Sequence, residues 1–324
     1  MKTTTRFVCG VLLSCAAFTA GAAELSYPAR PLRIIDPFPP GGVSDTVARM
    51  LGQRLGESLG QSVVIDNRAG AGGVVGSEIA SRAAPDGHTM LLAGLGPLAV
   101  APSLIAKLPY DPQRDFQPIT QLTSGPLLIV VNPSLPAKSL KDLIALARAK
   151  PGQLNFASGG TGTSNHLAAE MLKLAAGIDI VHVPYKGAAP ALTNVIAGEA
   201  QIMTANIVPA IPLIKAGKLR GLAVTSARRS GVMPEVPTVA ESGLPGFEAS
   251  AWHGMLVPAR TPQPVVARLH RELLAILNQA EFRERLTSLG LDVAGTTPQA
   301  FAAWIRSEAI KYAKVVKEAG VRME

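Results

Sequence analysis

Three glycine-rich stretches carry the residue types from which a binding chemistry can be built. They are Pro39-Pro40-Gly41-Gly42, Gly94-Leu95-Gly96-Pro97 and Ser158-Gly159-Gly160-Thr161-Gly162-Thr163-Ser164. Each follows a short apolar run, and the first and third lead directly into a helical pattern. A helix N-terminus presents unpaired N–H donors and about half a positive charge. Glycine removes the side chain that would keep an anion away from those donors. Ser158, Thr161, Thr163 and Ser164 add hydroxyls to the third loop, and no Lys or Arg occurs in any of the three. The chemistry is that of gripping a carboxylate without a salt bridge. Tight-turn and capping roles for Gly, Ser and Thr are the alternative for any one loop. The presence of such loops in both halves of the chain favours a ligand.

Rival chemistries fit less well. The third loop lacks the Gly-Lys-Ser/Thr ending of a phosphate-binding loop. The run from Gly70 to Gly76 does not have the G-x-G-x-x-G spacing, and it follows the second strand rather than the first. Ser164 and His166 stand at i and i+2, which do not face each other on a helix. No Ser occupies the strand-to-helix elbow of a G-x-S-x-G hydrolase. His88, His166, His182, His253 and His270 show no metal-ligand spacing. The reading is therefore of a non-enzyme without cofactor or metal. His182, inside an apolar strand, reads as a structural histidine. His166, just after the third loop, is placed to brace that loop by a hydrogen bond. Asp45, in the first turn of the first helix, complements the helix dipole. Contact with a polar or cationic ligand group is its other possible role.

The elements that must position these loops alternate between strand and helix. Residues 32–35 read as a strand. Val43, Val47, Leu51, Leu55 and Leu59 recur every four residues as one face of a helix, which Gly60 ends. Strands at 63–65 and 89–93 follow, with a helix from the 70–76 loop through Ala80 and helical residues up to Ile105. After a Pro-rich stretch, 109–118, a second unit starts with a strand at 127–131. Ser139 and Asp142 form a capping-box pattern for a helix to Ala149. Strands at 154–157, 178–183, 200–204 and 219–225 alternate with helices at 165–176, 189–197 and 210–215. A long strand at 247–257 precedes helices at 264–277, 281–289 and 298–319, with a short strand at 291–293. Alternating units of this kind argue for an α/β molecule of parallel sheets covered by helices. Crossings near Pro126 and Gly246 would make it two-lobed, and its ligand belongs in the cleft beyond the strands' C-terminal ends. The corresponding division is 23–125 plus 246–324 for one domain and 126–245 for the other.

The first 22 residues read as a secretory signal. Lys2 and Arg6 are basic, residues 7–18 are mostly small or apolar, and Ala20-Gly21-Ala22 suits a signal peptidase. The apolar run is too short to span a bilayer. Leu12-Leu13-Ser14-Cys15 is a loose lipobox, but the Ala-rich residues beyond it suit the later cut. Both cysteines, Cys9 and Cys15, lie in this segment, so the exported chain would have no disulfide. About 300 residues suffice for a large core instead. Loss of Lys2 and Arg6 lowers the formal charge from +8 to +6. With 4 % aromatics and no dense Lys/Arg run, nucleic-acid binding is not indicated.

At these loops a family becomes recognisable. The chain resembles the periplasmic solute-binding proteins of tripartite tricarboxylate transporters, the Bug proteins. The matching residues are Tyr27-Pro28, Phe38 to Gly42 with Asp45, Asn67-Arg68 before Gly70 to Gly73, Pro85-Asp86-Gly87, Tyr110-Asp111-Pro112, and Ser158 to Thr163 with His166-Leu167. Pro184 to Gly187, Ala216 to Leu219, and Pro237-Thr238 with Glu241-Ser242-Gly243 complete the set. Singly weak, they are specific together and span nearly all of the exported chain. The resemblance implies a two-lobed Venus-flytrap fold, each lobe a Rossmann-like mixed sheet covered by helices. It implies a monomer that holds a small organic carboxylate between the first and third loops, partly through water. It also implies delivery to integral-membrane permease subunits or, in some members, to a sensor; a scaffold with a vestigial cleft is the further alternative. Ligand contact is carried onto Phe38, Gly41, Gly42, Ser158, Gly160, Thr161, Gly162 and Thr163, with Tyr185 and Gly187 as wall residues. Many members have Phe-Asp where this chain has Thr204-Ala205-Asn206, so the partner for a ligand ammonium is missing. Asn206 joins the site residues there, and Leu95 with Ala205 would make that end more apolar. Ala69 replaces a usual proline, a loop change.

Overall fold

The computed structural model describes residues 27–322. The signal-peptide reading, residues 1–22, falls outside the described residues. The first lobe opens with β1 (Leu32–Asp36), α1 (Val43–Leu59), β2 (Val63–Asn67), α2 (Val74–Ser81), β3 (Thr89–Gly94) and α3 (Ala101–Leu104). A long strand, β4 (Phe116–Val131), leads into α4 (Leu140–Ala149), β5 (Asn155–Ser158), α5 (Ser164–Ala176), β6 (Val181–Pro184), α6 (Ala188–Ala197), β7 (Ile202–Asn206), α7 (Ile207–Lys215) and β8 (Arg220–Val224). The chain returns through β9 (Ser250–Pro258), α8 (Gln263–Leu277), α9 (Ala280–Ser288), β10 (Asp292–Val293) and α10 (Pro298–Glu318).

Helix α1 forms as its stripe dictates. Val47, Leu51 and Leu55 are fully buried, and Gly60 closes the helix at φ +66°, its N–H on the Gly56 carbonyl at 3.0 Å. The capping box at Ser139 is present, with Asp142 N–H on the serine oxygen and Ser139 N–H on the Asp142 carboxylate.

The sheets are mixed. β1 pairs in parallel with β2 and β3, and β5 in parallel with β6 and β7. β9 inserts antiparallel between β3 and β4, and β4 runs antiparallel to β7, β8 and β10. Strand β4 belongs to both sheets. Its residues up to Pro126 pair with β9, and those from Leu127 pair with β7 and β8. Sequence patterning starts this strand only at Leu127, because Pro118 and Pro126 break the reading. The structure tolerates Pro118 beside a register shift, where a missing N–H costs the ladder least.

Within β4 the two faces serve different layers. Leu127, Ile129 and Val131 join one apolar cluster, and Leu128 and Val130 join another on the opposite face. All five are fully buried, as in a sheet covered by helices on both sides. Ile119 and Leu122, earlier in the same strand, pack into the core of the first lobe. The strand at 178–183 is shorter than its apolar run suggests. Ile178 and Ile180 are buried in the core ahead of β6 rather than paired in it.

Candidate functional site

The loop after β1 is held from behind by two acids. Asp36 is fully buried; its carboxylate accepts the Phe38 N–H at 3.2 Å and the Asn67 side-chain amide at 3.2 Å. Burial pushes the Asp36 carboxyl up to about 7. Asp45 accepts the Gly41 N–H at 3.0 Å and the Arg49 guanidinium at 2.9 Å. Burial pulls this carboxyl upward, but the hydrogen bonds from Arg49 and Gly41 outweigh it and hold it below the usual carboxylate range. Asp45 thus faces its own loop and Arg49.

The loop after β5 is held by neutral imidazoles. Gly162 donates its N–H to His166 Nδ1 at 3.2 Å, which makes this histidine the brace its position suggested. Gly160 donates to Ser158 Oγ at 3.1 Å, and that hydroxyl lies 2.6 Å from His182 Nε2. The two imidazoles stack with centroids 3.9 Å apart, and Phe156 stacks on His182 at 4.9 Å. Burial, with the neighbouring His182 and Lys173 charges adding to it, pushes His166 down to about 3. Burial and Lys173 push His182 down to about 4. Gly162 has φ +81°, a backbone conformation that strains an L side chain, and a Cβ there would press on a Leu104 methyl of the other lobe at 2.8 Å.

Neither helix that follows these loops is capped by its N-cap side chain. Gly42 has none, and Thr163 Oγ1 donates instead to the Gly160 carbonyl at 2.7 Å. The first intrahelical bonds run from Thr46 to Gly42 and from Leu167 to Thr163. The N–H groups of residues 43–45 and 164–166 therefore remain available. Helix α6 repeats the arrangement, with Gly187 as its N-cap and Ala188 and Ala189 in its first turn. The start of α5 is fixed from the side by Asn165, whose amide donates to the Thr204 carbonyl at 2.7 Å while Thr204 Oγ1 donates to the Asn165 carbonyl.

These helix starts converge on a cavity of about 70 Å³ between the lobes. Its walls include the first turns of α1 (Gly42, Val43, Ser44), α5 (Thr163, Ser164, Asn165) and α6 (Ala188, Ala189). Phe38, Leu95, Asn206 and the Ala251–His253 stretch of β9 also belong to them, and among the described residues no Asp, Glu, Lys or Arg lines it. His253 is half-buried, and its Nδ1 is buried with no hydrogen-bond partner among the described residues. Burial alone pushes this imidazole down to about 4.

Of the residues named from the sequence, Phe38, Gly42, Leu95, Thr163 and Asn206 line the cavity. The others are not in its lining. Gly41 is bonded to Asp45, and Ser158 is fully buried against His182. Gly160 and Gly162 spend their N–H groups inside the loop. Thr161 meets the opposite lobe through its carbonyl, 2.8 Å from where a Cβ on Gly72 would stand. Gly187 faces the Pro39 ring, which a Cβ would meet at 2.8 Å. Tyr185 donates its N–H to the Ser158 carbonyl at 3.0 Å and packs beside the second lobe's core. Ala205 does not extend the cavity wall. It points into that core, because strand alternation sends it to the face opposite Asn206.

Sequence reasoning named Gly187 at the α6 start but missed Ala188, Ala189, Ser44 and the β9 stretch as wall residues. Gly187-Ala188-Ala189 was detectable by the rule that found the other loops, a strand followed by glycine and helix. One G-x-S-x-G spacing does occur, Gly56 to Gly60, but it closes α1 rather than forming a strand-to-helix elbow. Among the described residues no cluster of three or more His, Cys, Asp or Glu could hold a metal, and no helix is long and apolar enough to cross a membrane.

Residues 47–321 match the family model described as tripartite tricarboxylate transporter family receptor. The chain is 38% identical over 318 residues to Protein BugT of Bordetella pertussis, covering 98% of each. Among solved structures it is similar to Rpa4515 of R. palustris with adipate, at 34% identity and TM-score 0.89, covering 91% of this chain and 99% of that one. It is also similar to MatC of Rhodopseudomonas palustris with bound malate, at 35% identity and TM-score 0.85, covering 90% and 100%. The two-lobed fold, the convergent helix starts and these matches together make the chain a member of the tripartite tricarboxylate transporter receptor family, the periplasmic solute-binding Bug proteins.

Proposed function

We propose that this receptor captures a small organic carboxylate in the interlobe cavity and presents it to the permease subunits of a tripartite tricarboxylate-type transporter. The observation that carries the reading is a cavity walled by three uncapped helix starts and, among the described residues, by no charged side chain. Hydrogen bonds to a charged group contribute about 1.5–3 kcal/mol each, and helix-dipole attraction about 0.3–1 kcal/mol. Such a cavity holds an anion and offers no acid to an ammonium, so acidic amino acids should bind less well than the matching dicarboxylates. The adipate- and malate-bound relatives support a carboxylate ligand.

Residues 23–125 with 246–324 form one closing domain and 126–245 the other, with the hinge where β4 changes partners. Contacts from both lobes favour the closed state. The protein acts as a monomer in the periplasm, exported by its first 22 residues, and performs no catalysis.

Thermal melting of the exported chain against dicarboxylates, tricarboxylates, aromatic acids and acidic amino acids, with phosphate as control, tests the proposal. A ligand at a hundred times its dissociation constant adds about 2.7 kcal/mol, a shift of several degrees. A shift with one carboxylate class and none with phosphate is expected. No shift with any carboxylate, after unfolding and refolding to strip carried-over ligand, overturns it.

A further inference from the structure

The cavity's polar side chains are not equally free. Thr163 Oγ1 and the Asn165 amide are bonded to the second lobe's own backbone. On the first-lobe side, the Trp252 indole N–H is taken by Glu308 at 2.9 Å. His253, the next residue of β9, has no such bond. Its register partners are Gly94, which has no side chain, and Thr123, whose own buried hydroxyl is likewise without a partner among the described residues. Its ring reaches the cavity wall, and its buried Nδ1 has no partner among the described residues. A buried polar atom without a partner is rare in a folded protein and calls for a group that completes it. The ring is also neutral at neutral pH, because desolvation lowers its pKa and, among the described residues, no charged side chain lines the cavity. A neutral imidazole offers one N–H donor and one acceptor nitrogen.

We propose that His253 is the specificity-determining side chain of this cavity: its imidazole hydrogen-bonds a second carboxylate of the ligand, so that the receptor selects dicarboxylates over monocarboxylates of equal length. The inference rests on the carboxylate reading above and adds the second functional group and the residue that recognises it. The helix starts hold one carboxylate, the apolar wall that includes Phe38 and Leu95 takes the carbon chain, and His253 receives the second carboxylate. A hydrogen bond to a charged partner is about twice as strong as a neutral one, so one donor suffices to discriminate. A site built to hydrogen-bond a ligand group rejects the analogue lacking it, because its own polar atom is then left unpaired.

The test compares dissociation constants for adipate against hexanoate and succinate against butyrate in the wild type, His253→Phe and His253→Gln. Phenylalanine keeps a flat ring without nitrogens; glutamine restores a donor and an acceptor. The wild type should prefer the dicarboxylate at least tenfold in one pair. His253→Phe should bring that ratio within about threefold, through a larger loss for the dicarboxylate than for the monocarboxylate, and His253→Gln should recover part of it. A ratio unchanged in both variants, or a wild type that does not discriminate, overturns the assignment. A purely structural role would weaken both members of a pair equally. If neither member of any pair binds the wild type, the carboxylate reading itself fails.

Discussion

The two loops that face each other across the cavity do the same job with opposite anchors. The loop after β1 is tied down by carboxylates, Asp36 and Asp45; the loop after β5 is tied down by the stacked imidazoles of His166 and His182. In both, the inner N–H groups turn backward onto side-chain acceptors, leaving the first-turn N–H groups of the following helix forward. The difference is electrostatic. Negative charge behind an anion site repels the anion, and the first loop limits this by pairing Asp45 with Arg49 and by burying Asp36 until it titrates near 7. Neutral imidazoles impose no such repulsion. The second lobe is thus the better half of an anion site, and the first lobe holds its loop shape at some cost to its field.

The largest effect should come from breaking the neutral anchor. His166→Leu removes the acceptor of the buried Gly162 N–H, and an unsatisfied buried donor costs about 1–3 kcal/mol. Carboxylate affinity should fall roughly tenfold to a hundredfold, with a lower melting temperature, in isothermal titration and thermal melting. Wild-type affinity in this variant would mean that the imidazole brace is dispensable.

A smaller effect, and a sharper contrast, lies in pH. His166 and His182 have folded pKa values of about 3 and about 4, below the ordinary histidine value. The folded chain then binds fewer protons than the unfolded one, so their contribution is present above about 6.5 and is lost as pH falls through about 4. Asp36 has the opposite sign. Its folded pKa of about 7 lies above the ordinary carboxylate value, so its contribution is present below about 4 and is lost as pH rises through about 7. Melting between pH 4 and 8 should show the acid limb flattened in His166→Leu/His182→Phe and the neutral limb flattened in Asp36→Asn. Parallel curves in all three proteins would contradict the contrast.

The parts legible in the sequence were those with local causes. The stripe from Val43 to Leu59 and the stop at Gly60 needed only helical periodicity, and the capping box only the spacing of Ser139 and Asp142. The glycine loops were legible because backbone conformation and close approach constrain residue type directly. What lay hidden depends on strand order. Nothing in 250–258 announces that β9 runs antiparallel between β3 and β4, and that insertion alone brings Ala251–His253 to the cavity. Pro118 and Pro126 concealed the first two-thirds of β4 for a related reason: the register shift that tolerates a proline is a tertiary feature. Gly160 and Gly162 show a further limit, since spacing identifies a loop but not which of its N–H groups turn forward.

The central claim is that two unlike loops present helix-start N–H groups to one carboxylate. The most direct measurement is an amide NMR titration of isotope-labelled protein with the acid giving the largest melting shift. The amides of Val43, Ser44 and Asp45 should shift together with those of Ser164, Asn165 and His166, along one binding curve. Saturable binding that moves only one of the two sets, or neither, would contradict the account.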